Sequence, residues 1–314
     1  ISTNSFRAVR GRPVLCAIFD EIAFWRDETS ATPDEEVYRA IKPALATMPN
    51  SMIIGISSPY LAIAVGYGLA TVVIFATSCA TGNGSMFDAY WSVIPPVGAV
   101  WLATQASGID GTRTALVLVV VMVWGVRLTS NWVRGWPGLH HEDWRYLDMY
   151  AKAKVPRAVV SLLGVHLFPT FQLWLGSLPL VVALARTGNA VGPLDLVATV
   201  VGVGGALLEL IADEQMRAFA KVKQPGQVMD RGLWKYSRHP NYLGEIMFWL
   251  SLYLFALAVG VGYWWTGIGV VAMVAMFLGA SIPMLDDRSS ARRPEFAEYR
   301  RRTSALIPRP PKRG

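Results

Sequence analysis

Seven apolar runs, each bounded by polar segments, constrain this chain more than anything else in it. They lie at about 61–79, 92–106, 114–130, 158–185, 193–212, 241–259 and 264–285. A helix crossing a bilayer needs about 20 apolar residues, and the hydrocarbon offers its backbone no outside partner. The pattern therefore predicts an all-α integral membrane protein with about seven transmembrane helices. The second run is short, and the fourth is long enough to tilt or to break at Pro169. Composition agrees, with 53% hydrophobic residues and only 16% charged, where a soluble domain carries about 25%.

Charge then suggests an orientation. Lys and Arg number five in 131–157, six in 213–240 and nine after 285. The positive-inside rule places these segments and the C-terminus in the cytoplasm, and the expected location is a bacterial inner membrane. The net charge of +7 resides in loops and tail rather than on one groove-like face. No nucleic-acid partner is therefore expected for the membrane domain; the bilayer and a lipophilic small molecule are. Cys16 and Cys79 have neither metal-ligand spacing nor a disulfide framework around them.

Residues 1–60 read differently, as a short α/β fragment ahead of a membrane domain over 61–314. VLCAIFDE (Val14 to Glu21) is a buried-strand pattern ending in two carboxylates, and MIIGISSPY (Met52 to Tyr60) is a second short strand. With FDEIAFW and SSPY, the stretch resembles the ATPase core of a phage terminase large subunit, around its Walker B element. That resemblance implies Asp20 as the magnesium residue, in an intact fragment only, Glu21 as the catalytic carboxylate, and Ser57-Ser58 as a coupling segment. No G-x-x-x-x-G-K-[ST] loop occurs in the chain, so no ATPase activity is expected. The abrupt change of composition after Tyr60, with Ile as first residue, reads as a fusion or an incomplete reading frame.

The polar interval from Asp213 to Glu245 holds the densest chemistry. Its GLWKYSRHPNYLGE segment gathers Lys235, Arg238, His239, Asn241, Tyr242 and Glu245. Pro240 pre-sets a helix start, which puts Asn241 and Glu245 one turn apart on one face. Cations, an amide and a carboxylate at a membrane-level helix mouth suit an anionic ligand such as a nucleotide phosphate. Further polar pairs at one-turn spacing are Arg127 with Asn131, and Glu209 with Asp213. Glu209 is read either as an interfacial charge or as an acceptor facing a pocket. The loop with His140, His141, Glu142, Asp143, Arg145 and Tyr146 is open to three readings: a solvated loop, a metal site, or a wall of the same pocket. The absence of H-x-x-x-H spacing argues against metal. Lys223 lies within the interval, and Arg288 and Tyr299, from a basic tail whose arginines are otherwise surface anchors, are expected to close over a bound anion.

From about Trp101 to Pro308 the chain resembles the steroid 5-alpha-reductase-like bacterial membrane family, of the DUF1295 type. The segments carrying the resemblance are GVRL, HEDWRY, QPG, RGLWKYSRHPNYLGEI and EFAEYRRRTSALIP. Part of the RHPNY block is shared with sterol C14-reductases and with isoprenylcysteine and phospholipid methyltransferases. The resemblance implies a seven-helix fold with a cytoplasm-facing NADPH pocket, and hydride transfer to an activated C=C bond of a lipid-like or steroid-like enone. It also implies that Asn241, Glu245 and Asp213 contact the cofactor and that Lys223 contacts a phosphate, while the catalytic residues stay unassigned. The alternatives are an S-adenosylmethionine-dependent methyltransferase on the same scaffold, or an inactive fused reading frame.

Overall fold

The structure is a computed structural model that describes residues 16–19, 52–55, 58–105 and 109–312, with side chains from 59 onward. The chain divides into two units, 1–66 and 67–314. In the first, β1 (Cys16–Phe19) and β2 (Met52–Gly55) pair in parallel, with Cys16 opposite Met52 and Phe19 opposite Gly55. Asp20, Glu21 and Ser57 lie outside the described residues. The second strand was expected to continue to Tyr60 but ends at Gly55, because Pro59 stands in the first turn of the next helix, where a missing N–H costs nothing.

All seven apolar runs become helices. With two short polar helices, α4 and α9, the helices of the described residues are in order α1 (Ser58–Thr81), α2 (Met86–Gln105), α3 (Gly111–Gly135), α4 (Trp144–Lys152), α5 (Arg157–Ala185), α6 (Pro193–Val222), α7 (Pro240–Val259), α8 (Val261–Arg292) and α9 (Phe296–Arg302). Six of them, α1, α3, α5, α6, α7 and α8, are long and apolar enough to cross a membrane. From residue 58 onward the described chain is thus an all-helical multi-pass membrane protein. The expected seventh span corresponds to α2, which is 20 residues long, holds Pro95 and Pro96, and is not among the six.

The helix does not break at Pro169. Ser161–Leu167 widen into a π-turn two residues before that proline, and Phe277–Ser281 do the same before Pro283 in α8. A widened turn relieves the clash between a proline ring and the carbonyl four residues back, so each helix continues.

At one end of the bundle, the 82–85 turn is stitched to the α3–α4 loop. Asn83 donates to the carbonyls of Leu139 and His141 (2.9 Å each), and Ser85 Oγ accepts from Asp143 N–H (2.8 Å). The basic segments 136–156, 223–239 and the tail belong to this same end. At the other end Arg113 and Asp195, both buried, pair at 2.7 Å, and Arg113 also donates to the Asn189 carbonyl (2.9 Å). Between the ends, α1, α2 and α5 share buried hydroxyls. Tyr67 bonds Ser177 (3.0 Å), while Thr71 bonds Thr170 (2.7 Å) and Tyr90 (3.1 Å).

Helices α6 and α7 cross closely. A Cβ added to Gly244 would lie 2.5 Å from the Gly205 carbonyl and press on Glu209 Cγ. Only a bare Cα fits there, which is how small residues let helices approach in a membrane. Gly244→Val should lower stability by about 1–3 kcal/mol through overpacking. Gly204→Ala, whose Cβ would meet only Met247 Cε at 3.8 Å, should leave it nearly unchanged. Thermal unfolding in detergent measures both.

Candidate functional site

The mouth of α7 is built from the loop before it. Gly232, with φ +57, allows the turn into a 3-10 segment (Gly232–Lys235), and that segment docks on α6. Leu233 N–H donates to Gln215 Oε1 (2.9 Å), and Trp234 Nε1 donates to the Ala212 carbonyl (3.0 Å). Arg238 and His239 then both turn to Asp286 of α8, at 2.7 and 3.0 Å. The Arg238 guanidinium also donates to the carbonyls of Arg300 and Thr303, so its donors are taken up within the protein. Tyr299 donates to the Trp234 carbonyl, and the tail runs beside residues 236–238 through Arg238 N–H to Ser304 O (2.8 Å) and Arg309 N–H to Tyr236 O (3.0 Å). Arg238 and Tyr299 thus strap the tail to this loop, and His239 holds Asp286 of α8.

Glu245 lies one turn inside, buried, and is held by three tryptophans from three helices. Trp91 of α2 and Trp249 of α7 donate to Oε1 at 3.0 Å each, and Trp124 of α3 donates to Oε2 at 2.8 Å. Indole N–H groups are donors only, so the arrangement fits a carboxylate, which is acceptor-only. Trp124 stacks on Phe248 with centroids 4.0 Å apart, closing the inner wall. Asn241 is different. Its Oδ1 is buried and has no hydrogen-bond partner. Tyr242, beside it, packs between the rings of His239 and Phe277 and stands within electrostatic reach of Arg145, Asp143, Asp88 and Glu245.

Arg127 meets Glu209 and Asp213 where α3 faces α6: its Nη1 donates to Asp213 (2.7 Å) and its Nη2 contacts Glu209. One turn on, Asn131 Oδ1 accepts from Arg217, and Arg134 pairs with Glu214. Arg127, Asn131 and Asp213 line a groove of about 520 Å³ between the two helices, together with apolar Met122, Val126 and Leu210.

The α4 segment forms the other side of the mouth. Asp143 caps α4 through Arg145 N–H (2.8 Å), and Arg145 bridges Asp143 and Asp88, to which Tyr146 also donates (2.6 Å). Burial alone would raise the Asp143 pKa, but the Arg145 guanidinium and the backbone N–H hold it below the usual carboxylate range. Burial and then the Asp88 charge push the Tyr146 hydroxyl well above its ordinary value, so it stays a donor. Glu142 accepts from Gly84 N–H and Arg157, whereas His140 and His141 are exposed. Among the described residues, no three His, Cys, Asp or Glu side chains group as metal ligands. Arg288 lies 3.6 Å over the Trp144 ring, while Lys223 caps the end of α6 and is exposed.

The residues singled out from sequence thus form three neighbouring groups rather than one ring: the Arg127, Asn131, Glu209 and Asp213 groove, the Asp143–Arg145 wall, and the Arg238 to Glu245 mouth. Sequence reasoning missed Asp88, Asp286 and the tryptophans at 91 and 124. Of the Glu245 cage, only Trp249, four residues on along one helix, was recoverable from spacing.

The sequence model of a family described as a protein of unknown function, DUF1295, matches residues 74–303, which include every one of these groups. An uncharacterized protein of Schizosaccharomyces pombe is 26% identical over 264 residues, covering 76% of each chain. No solved structure matches the chain.

Two outcomes follow from the geometry. Glu245→Gln would turn an amide N–H₂ toward an indole donor and should cost about 1–3 kcal/mol, with a changed tryptophan emission spectrum, whereas a spectrum and melting point like those of the parent would show the cage to be idle. The depressed Asp143 pKa means that its contribution is present at neutral pH and lost as pH falls through the folded value, below the ordinary 3.8. Asp143→Asn should therefore narrow the stability difference between pH 7 and pH 3, as followed by thermal melting.

Proposed function

We propose that this chain, which belongs to the DUF1295 family of proteins of unknown function, is an NADPH-dependent membrane reductase acting on an activated C=C bond of a lipid-like or steroid-like enone. We place its basic end in the cytoplasm of a bacterial inner membrane. The observation that carries this reading is the buried, unpartnered Oδ1 of Asn241 at the start of α7. A buried acceptor without a donor is costly, so an acceptor kept in that state at a helix mouth fits a ligand that brings a donor. The carboxamide of a nicotinamide is such a donor.

The cations around the mouth fit the remainder of a dinucleotide. Among the described residues, Lys223, Lys235 and Arg288 form no ion pair with a carboxylate. They are free to meet phosphates, while Arg238 and Arg145 keep the mouth in shape. Bound NADPH supplies a hydride. Glu245 acts through the three indoles that it holds, fixing a dry wall beside Asn241.

NADPH titration of the detergent-solubilised chain tests the reading. Saturable binding should weaken by about tenfold or more in Asn241→Ala, at an unchanged melting temperature. Binding of S-adenosylmethionine in place of NADPH would move the chain to the methyltransferase reading, and binding of neither would overturn a nucleotide site.

A further inference from the structure

We infer that the inner end of the α7 mouth is built for a cationic ring, so that it holds the oxidised, positively charged nicotinamide more tightly than the neutral reduced one. Glu245 is the group that sets this preference. The inference rests on the reductase reading and adds to it which redox form of the nucleotide the protein favours.

The observation behind it is a buried charge without a cation. Among the described residues Asp195, Glu209, Glu245 and Asp286 are the buried carboxylates. Asp195 pairs with Arg113, Glu209 with Arg127, and Asp286 with Arg238. Glu245, 6% exposed, forms no ion pair among the described residues. Its hydrogen bonds come from the indoles of Trp91, Trp124 and Trp249. Indoles supply N–H donors but no positive charge, so the site satisfies the oxygens and leaves the charge uncompensated. A lone charge at membrane depth is costly, and one kept there fits a ligand that brings the opposite sign.

The surroundings add to the imbalance. Tyr242, next to Asn241, stands within electrostatic reach of Asp88, Asp143 and Glu245, and of the Arg145 guanidinium that Asp88 and Asp143 already share. Lys223 and Lys235, by contrast, are exposed. The mouth is thus cationic at its rim and anionic at its inner end, which suits a ligand with phosphates at one end and a positive ring at the other. Asn241 and Glu245 are one turn apart on one face, with about 5–6 Å between their Cβ atoms. A ring whose carboxamide meets Asn241 Oδ1 therefore lies in the field of Glu245, with little water to screen it. The reduced nucleotide carries one more net negative charge than the oxidised one. Attraction to the cationic rim alone would favour the reduced form, so the opposite preference reports on the inner end.

The test is calorimetric titration of the full, detergent-solubilised chain with NADP+ and with NADPH. NADP+ should bind about tenfold more tightly or better. Glu245→Gln should bring the ratio close to one by weakening NADP+, while NADPH affinity stays within about threefold. The neutral ring is the control for any disturbance of the indoles, because a merely structural role of Glu245 would weaken both forms alike. Asp143→Asn, farther from the ring, should lower the ratio by a smaller factor. Should Glu245→Gln unfold, the ratio on the unaltered chain and in Asp143→Asn decides. Equal affinity for the two forms, tighter NADPH, or an unchanged ratio in Glu245→Gln would overturn the inference and leave the reductase reading standing. Binding of neither form would overturn both.

Discussion

The close crossing of α6 and α7 at Gly205 and Gly244 sets where everything polar in the bundle can go. With no side chain between the two backbones, Glu209 on α6 is brought against Gly244, next in sequence to Glu245. Two carboxylates thus enter the same layer from neighbouring helices. The hydrocarbon around them cannot solvate either charge, so partners must come from the remaining helices. Arg127 from α3 meets Glu209, and tryptophans from α2, α3 and α7 meet Glu245. A wider crossing would separate these groups and leave each needing its own partner.

The same rule accounts for how the basic residues are used. Cations buried at the bundle ends are committed to carboxylates of the protein itself: Arg113 to Asp195 and Arg238 to Asp286. Breaking such a buried pair by removing one partner costs about 3–5 kcal/mol, which ties each motif residue to structure before it can serve a ligand. Cations left for a ligand are then the peripheral ones, and the unmatched atoms become informative. Among the described residues Asn241 Oδ1, at the start of α7, is one of seven buried side-chain atoms without a hydrogen-bond partner.

Much of the architecture was readable beforehand. The apolar runs marked every long helix, and the spacing of Arg127 with Asn131 and of Glu209 with Asp213 placed each pair on one helix face, as found. Pro240 marked the start of α7, since a proline at the first position costs a helix nothing. Of the tilt or break expected at Pro169, the break does not occur, because a π-turn, which leaves no mark in composition, absorbs the ring. That Arg238 and His239 meet Asp286 could not be read from spacing, because Asp286 lies 48 and 47 residues away on another helix.

The sequence by itself determined the helices, the helix mouth at Pro240 and the family to which 74–303 belongs. These rest on local facts: apolar length, proline geometry and residue spacing. Only the tertiary structure decided which polar groups are already paired and which are open. That depends on side chains from helices far apart in the chain meeting in a medium with no water to replace a missing partner. Glu245 and Asn241 look alike in the sequence, one turn apart on one helix. Three indoles reach the first, and the oxygen of the second is left free.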